Sequence, residues 1–382
     1  MRWHQLKVII PFILAAHIFF IGFSLLSPTV LPFCTPCLES NFSHPEYTEQ
    51  STVSPYLTWD AQNYFIVADH WYAPEQASNA FYPGYPFLLR LFSYITNGNL
   101  FWASIILGII LNGTLAAFLY LFVKKQWNEK TAALSVLFLF SFPTAFYLHL
   151  PYSESLFLIL IISFFNLFIQ KKYTWLQTLL LITAILTRPQ GIFLIIPITI
   201  SLVIEYKKEK TAITPFIRDF APYITSISIA VISYLLIHTI STGSPFSGFL
   251  AQQYFISSFS IMNILQPWNW LTTMLLQEQW NWHAVDSSSI TNRLFFLFAL
   301  ISLPIVYKKT NLILFTYTVT ILALTALLGD FVSYPRYILL LFPIAITFAR
   351  YFTGISRVYL LSVFILTQLL LLHFHSLNIW IA

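Results

Sequence analysis

Long apolar runs leave this chain few ways to fold. Runs near 7–27, 100–123, 131–149, 154–170, 219–240, 291–306, 311–328, 337–350 and 357–378 read as membrane crossings, since a hydrocarbon layer of about 30 Å takes about 20 apolar residues in a helix. Two shorter runs, 174–187 and 191–204, meet at Thr187-Arg188-Pro189-Gln190-Gly191 and read as a pair that turns near the outer face. With 58% hydrophobic and only 9% charged residues, the sequence cannot supply a wetted shell around a soluble core. The expected fold is all-α, a polytopic transmembrane helix bundle of about eleven spans. No composition shift marks a soluble domain, so residues 1–382 form a single integral membrane domain. The first run has no convincing small-residue cleavage site and reads as a retained helix.

Orientation follows from the basic residues, which accumulate in short cytoplasmic loops. With the N-terminus cytoplasmic, every Lys and every Arg except Arg90, Arg188, Arg293 and Arg336 falls on that side. All the acids except Glu129, Glu205, Glu209 and Asp219 fall on the other. The net charge of +5 therefore reflects topology, and no basic, aromatic-interleaved patch calls for nucleic acid. The four exceptions are all Arg, whose planar guanidinium binds phosphate oxygens bidentately and stays charged in a poorly hydrated cavity. They equally suit snorkelling, or ion pairs such as Arg336 with Asp330.

Two long segments, 28–86 and 241–290, lie outside, so chemistry is expected there. In the first, WDAQNYFIVADHWY (59–72) reads as an interfacial helix with Ala61, Phe65, Ala68 and Tyr72 on an apolar stripe and Asp60, Asn63 and His70 on a polar flank. Asp69 falls on roughly the opposite side from Asp60, so the two do not form a dyad. Asp60 at the helix start suits either capping of free N–H groups or catalysis. FYPGYP (81–86) has two prolines around a glycine and reads as a rigid turn with no helix through it. After it, 87–96 is too short to span and reads as a re-entrant or interfacial helix.

Farther on, Pro151-Tyr152-Ser153-Glu154-Ser155 opens the fourth long run, with Glu154 placed for the helix dipole or for holding Arg188 or a substrate hydroxyl. Gly329-Asp330-Phe331-Val332-Ser333-Tyr334-Pro335-Arg336-Tyr337 puts an anion-binding Arg just before a helix. His70, His149, His283 and Asp286 show no familiar zinc spacing, and no metal or other cofactor is expected. Trp280-Asn281-Trp282-His283 with Asp286 suits an interfacial anchor or sugar stacking on an acceptor. Cys34 and Cys37 are a bridge or idle thiols, and Asn41-Phe42-Ser43 fits a glycosylation acceptor.

WDAQNYF, FYPGYP, SFPTAFYLHLPYSESLF, TRPQG and SYPRYILLLFPI occur here in an order that resembles the PIG-V family. The likeness covers about residues 59–191 and 333–343; residues 241–328 align with nothing in it, and Gly84 stands where a larger apolar residue is common. It implies the GT-C fold and transfer of a sugar, mannose in that family, from a polyprenyl- or dolichyl-phosphate donor to a lipid-linked or glycan acceptor. It also implies Asp60 as the catalytic residue and an accessory membrane subunit as a partner. Arg336, Arg188 and Arg90 then become candidates for the donor phosphate. Trp59, Asn63, His70, Tyr82, Tyr152, Glu154, His283 and Asp286 become candidates for other substrate contacts. The short loops favour a prokaryotic plasma membrane over the endoplasmic reticulum. Two other classes stay open: a lipid or solute transporter, which would place ionisable groups at mid-membrane, and a noncatalytic membrane scaffold.

Overall fold

The computed structural model describes residues 6–32, 53–209, 213–255, 265, 266, 268, 290–328, 333–379 and 381. Cys34, Cys37, Asn41, His283, Asp286 and Asp330 lie outside these residues. The principal helices are α1 (Leu6–Leu26), α2 (Asp60–His70), α3 (Gly84–Ser93), α4 (Leu100–Gln126), α5 (Glu129–Phe140), α6 (Glu154–Ile169), α7 (Thr174–Thr187), α8 (Ile195–Glu209), α9 (Ile213–Thr242), α10 (Ile290–Lys309), α11 (Leu312–Leu328), α12 (Tyr334–Ile338), α13 (Phe342–Tyr351) and α14 (Gly354–Ser376). Among the described residues there is no strand. Among the described residues six helical segments are long and apolar enough to cross a membrane: Lys7–Thr29, Leu100–Gln126, Pro189–Glu209, Ile213–Thr242, Ile290–Lys309 and Gly354–Ser376. Shorter apolar helices at Glu154–Ile169, Thr174–Thr187 and Leu312–Leu327 complete a polytopic bundle.

Two expected crossings are shorter than the apolar pattern implies. The run at 131–149 is helical only to Phe140 as α5, about 18 Å long, and Pro143 separates it from a 3-10 turn at Ala145–Leu148. The run at 337–350 is divided between α12 and α13, with Pro343 opening the second piece. The chain freed at 141–153 is buried, including Thr144, Tyr147, His149, Tyr152 and Ser153. Irregular backbone at this depth is tolerated because protein surrounds it and its own turns satisfy it. Ala145 N–H bonds Phe142 O at 2.8 Å, and His149 N–H bonds Phe146 O at 2.9 Å.

α2 forms where the periodicity places it, yet it does not lie on the surface with a wet flank. Every residue from Ala61 to Ala68 is buried, including Gln62 and Asn63. Apolar partners cover both sides: Tyr64 meets Phe81, Tyr85 and Tyr152 edge-on at 5.1, 5.2 and 6.1 Å. The FYPGYP stretch also differs from the expected turn, because α3 begins at Gly84 and contains Pro86 in its first turn. The first-turn N–H groups have no partner within a helix, so the missing N–H of Pro86 costs nothing there.

The bundle also has a polar pin within it. His17, midway along α1, sits with its Nδ1 3.2 Å from His149 Nδ1, and Asn112 Nδ2 is 3.1 Å from the first and 3.3 Å from the second. Asn112 also donates to Leu148 O at 2.8 Å and accepts from Ser155 Oγ at 2.8 Å. Gly108 makes room for it, since a Cβ there would stand 2.6 Å from the His17 ring. His17 therefore lies well inside a span.

The rim opposite Glu154 on α6 is basic and locally paired. Lys124 meets Glu129, Lys171 meets Glu205, and Arg350 donates to Lys309 O while lying 5.0 Å over the Trp127 ring. The 16 residues of α6 separate this rim from Glu154 by about 24 Å.

Candidate active site

Four charged side chains from distant parts of the chain meet at the end of the bundle away from the basic rim. Arg336 is the hub: its Nη1 donates to Asp60 Oδ2, its Nε to Glu154 Oε1, and its Nη2 to Tyr64 Oη at 3.3 Å. Arg188 Nη1 donates to the same Glu154 oxygen at 2.6 Å and to Ser153 Oγ at 3.1 Å, while its Nε reaches Gln190 Oε1 at 3.3 Å. Tyr64 and Ser153 hydroxyls lie 2.8 Å apart and close the network. Aromatic faces support the guanidinium groups, with Tyr152 4.6 Å and Tyr147 5.8 Å from Arg336, and Tyr337 5.8 Å from Arg188.

Local sequence explains each placement. Pro189 bars Arg188 from helical geometry, so Arg188 is extended at φ −152°, ψ 140°, and α7 ends there. The chain then folds back tightly enough that a Cβ on Gly191 would stand 2.7 Å from Ile185 N. Glu154 opens α6, where a carboxylate suits the helix N-terminus. Pro335 lies in the first turn of the short α12 that presents Arg336. Both arms of the Asp60–Arg336 pair follow a residue with positive φ, Trp59 at 59° and Ser333 at 61°. Such backbone costs on the order of 1–3 kcal/mol and gathers at functional sites.

Gly84 is explained by its neighbour. A Cβ there would lie 2.5 Å from Thr187 Oγ1 and 2.9 Å from Thr187 Cα, so the glycine lets α3 touch the end of α7 that carries Arg188. Gly84→Val is expected to cost about 1–3 kcal/mol by overpacking and to displace Arg188. Thermal unfolding in nanodiscs would register the first effect, and an unchanged melting temperature would refute the close contact.

Burial separates the roles within the cluster. Glu154 is 0% exposed, Arg188 5% and Arg336 6%, whereas the Asp60 side chain retains 22% exposure. Asp60 is therefore the most open ionic member of the cluster. Its carboxylate faces Arg336, and no side-chain cap closes the start of α2. Burial alone would lower the Arg336 pKa, but Glu154 and Asp60 outweigh it and hold the group well above its ordinary range. Burial pushes the Tyr64 and Tyr152 hydroxyls upward, so both stay protonated as donors. Beside the cluster, two buried acceptors find no partner among the described residues, Glu154 Oε2 and, one turn along α2 from Asp60, Asn63 Oδ1.

The structure thus gathers Asp60, Glu154, Arg188, Arg336 and Tyr152, with Trp59 buried directly before Asp60 and Asn63 one turn after it. Other expected site residues stand apart. Arg90, in the last turn of α3, pairs with no described carboxylate. His70 is at the far end of α2, about 15 Å along the axis, exposed and 3.5 Å from Asp69. Tyr82 stacks on Tyr234 of α9 at 4.7 Å. His283 and Asp286 lie outside the described residues. Among the described residues no three His, Cys, Asp or Glu side chains gather as metal ligands.

The residues that sequence reading missed are Tyr64, Ser153 and Tyr147. Tyr64 was detectable in principle, four residues after Asp60 and so on the same helix face. Ser153 adjoins Glu154. Tyr147 carried no signal, because only the break after α5 folds it under Arg336.

No curated protein matches the chain. The family described as Dolichyl-phosphate-mannose-protein mannosyltransferase matches residues 78–238, which hold Glu154 and Arg188 but not Asp60 or Arg336. Over that segment the chain is similar to membrane glycosyltransferases of the GT-C type, which use polyprenyl-phosphate-linked sugars.

Proposed function

We propose that the protein transfers a hexose, mannose by family resemblance, from a polyprenyl-phosphate donor to a hydroxyl of a lipid-linked or glycan acceptor. The observation that carries the reading is a partly exposed carboxylate, Asp60, held against a buried and permanently charged guanidinium, Arg336. Asp60 accepts the acceptor's hydroxyl proton as that oxygen bonds to the anomeric carbon; the bond from that carbon to the phosphate oxygen breaks, and polyprenyl phosphate leaves with inversion. Arg336, seconded by Arg188, stabilises the charge gathering on the leaving phosphate. The step needs no metal in this reading. Asn63 Oδ1 and Glu154 Oε2 offer acceptors for sugar hydroxyls, because an unpaired buried acceptor costs about 1–3 kcal/mol that a ligand donor would recover.

The Asp60–Arg336 pair acts as a latch. Without donor, Arg336 holds the Asp60 carboxylate. A donor phosphate competes for the same guanidinium and leaves Asp60 free as a base. The resemblance to the PIG-V family, a prokaryotic plasma membrane, an extracytoplasmic site facing away from the basic rim, and an accessory membrane subunit all belong to this reading.

Labelled polyprenyl-phosphate sugars incubated with purified protein in nanodiscs test it, with extracted lipids, glycans and Ser/Thr peptides as separate acceptors and with chelator present. Chelator-resistant transfer to lipid or glycan supports the reading, transfer only to peptide replaces the acceptor class, and loss restored by a divalent cation replaces the metal-free step. Arg336→Lys keeps one charge but loses the planar fork. It is expected to raise the donor KM about 10- to 100-fold, the worth of a charge-assisted hydrogen bond; an unchanged KM would remove Arg336 from phosphate binding.

A further inference from the structure

His375, near the end of α14, is far in sequence from every motif considered above and is fully buried. Its Nε2 lies 3.2 Å from Tyr152 Oη, and its Nδ1 lies 3.1 Å from Thr58 Oγ1. Tyr152 Oη is also 3.3 Å from the Thr58 carbonyl oxygen. Three contacts thus join three residues in a closed ring. A carbonyl only accepts, so the third contact requires the Tyr152 proton. Tyr152 Oη must then accept from His375 Nε2–H. With the ring neutral, Nδ1 accepts from the Thr58 hydroxyl. This neutral tautomer gives every contact one proton.

The ring's two ends are the two arms of the site. Thr58 is joined to Asp60 through the positive-φ Trp59, and the Tyr152 ring is the nearest aromatic face under Arg336. Phe146 and Tyr147 pack against the imidazole, each at 5.4 Å, and fix its plane. We propose that His375 is a positioning residue that sets the spacing between Asp60 and Arg336 by bonding the chain before one and the platform beneath the other. The proposal rests on the reading of Asp60 and Arg336 as base and phosphate site, and it assigns α14 a part in the chemistry.

The test compares His375→Phe, His375→Gln, Tyr152→Phe and the double variant His375→Phe/Tyr152→Phe in nanodiscs. Melting temperature, kcat and KM for transfer, and binding of unlabelled polyprenyl phosphate are measured for each. Phe keeps the ring volume but no nitrogen, whereas the Gln amide can donate to Tyr152 and accept from Thr58. His375→Phe is expected to lower kcat at least about tenfold and weaken polyprenyl phosphate binding, with Gln recovering much of both. Tyr152→Phe keeps the aromatic face but breaks the same ring, so the double variant should be no worse than either single one. Equal kcat and binding in His375→Phe and wild type, losses that follow the melting temperature in Phe and Gln alike, or losses that add in the double variant would each overturn the proposal. If the wild type transfers nothing, the enzymatic reading fails, and the binding series still decides for or against His375.

Discussion

Glu154→Gln is expected to be the most damaging single substitution in the chain. One buried carboxylate oxygen accepts from both Arg336 and Arg188, and the amide would leave two guanidinium groups sharing a buried site with only Asp60, among the described residues, to balance them. Breaking a buried ionic network by removing one partner costs about 3–5 kcal/mol, a large part of the total stability of most domains. A markedly lower melting temperature and loss of transfer should appear together. Glu154→Asp keeps the charge on a stem one methylene shorter; it should fold better than Gln but reach only one Arg, and so recover stability more than activity. A Gln variant that melts and transfers like wild type would show that the network carries neither role.

Asp60→Asn is expected to act in the opposite way on stability and chemistry. The side chain is partly solvated, and the amide still offers Arg336 an acceptor oxygen, so folding should change little. Its loss as a proton acceptor should lower kcat about 10²- to 10⁴-fold, the range for a general base. The latch adds a second expectation. Because the Asp60 carboxylate competes with phosphate for Arg336, the neutral amide should leave polyprenyl phosphate binding undiminished or tighter. A purely structural Asp60 would lose melting temperature and binding along with transfer.

The site was legible in the sequence to the extent that its members sat in a charge-poor chain at helix boundaries. Asp60, Glu154, Arg188 and Arg336 could be picked out because charge is scarce along the chain and only four Arg lie outside the basic rim, and because Pro151, Pro189 and Pro335 mark the turns that present three of them. The pairing of Glu154 with Arg188 was legible as one of its readings; the partners of Arg336 were not. Asp330, offered as one partner for Arg336 by proximity in sequence, lies outside the described residues, and the fold supplies Asp60 and Glu154 from helices 276 and 182 residues away. Arg90 and His70 shared the composition of site residues but not the geometry, since each lies at the far end of its own short helix from the cluster. The apolar pattern placed the bundle well and overestimated α5 and the 337–350 span, because a buried irregular segment is as hydrophobic as a crossing helix. Periodicity placed α2 but not its burial: Asn63 read as part of a polar flank until aromatic residues from 81–85 and Tyr152 are seen around the helix. His375 was hidden for the same reason, since hydropathy treats a histidine late in the last span as an interfacial group.

Donor binding and sugar transfer, followed in one nanodisc preparation for wild type and Asp60→Asn, put the assignment of Asp60 and Arg336 to its hardest trial. If Asp60 is the base and Arg336 the phosphate site, the folded variant binds polyprenyl phosphate at least as well as wild type and transfers sugar about 100-fold more slowly or worse. A folded variant that transfers at the wild-type rate would contradict it.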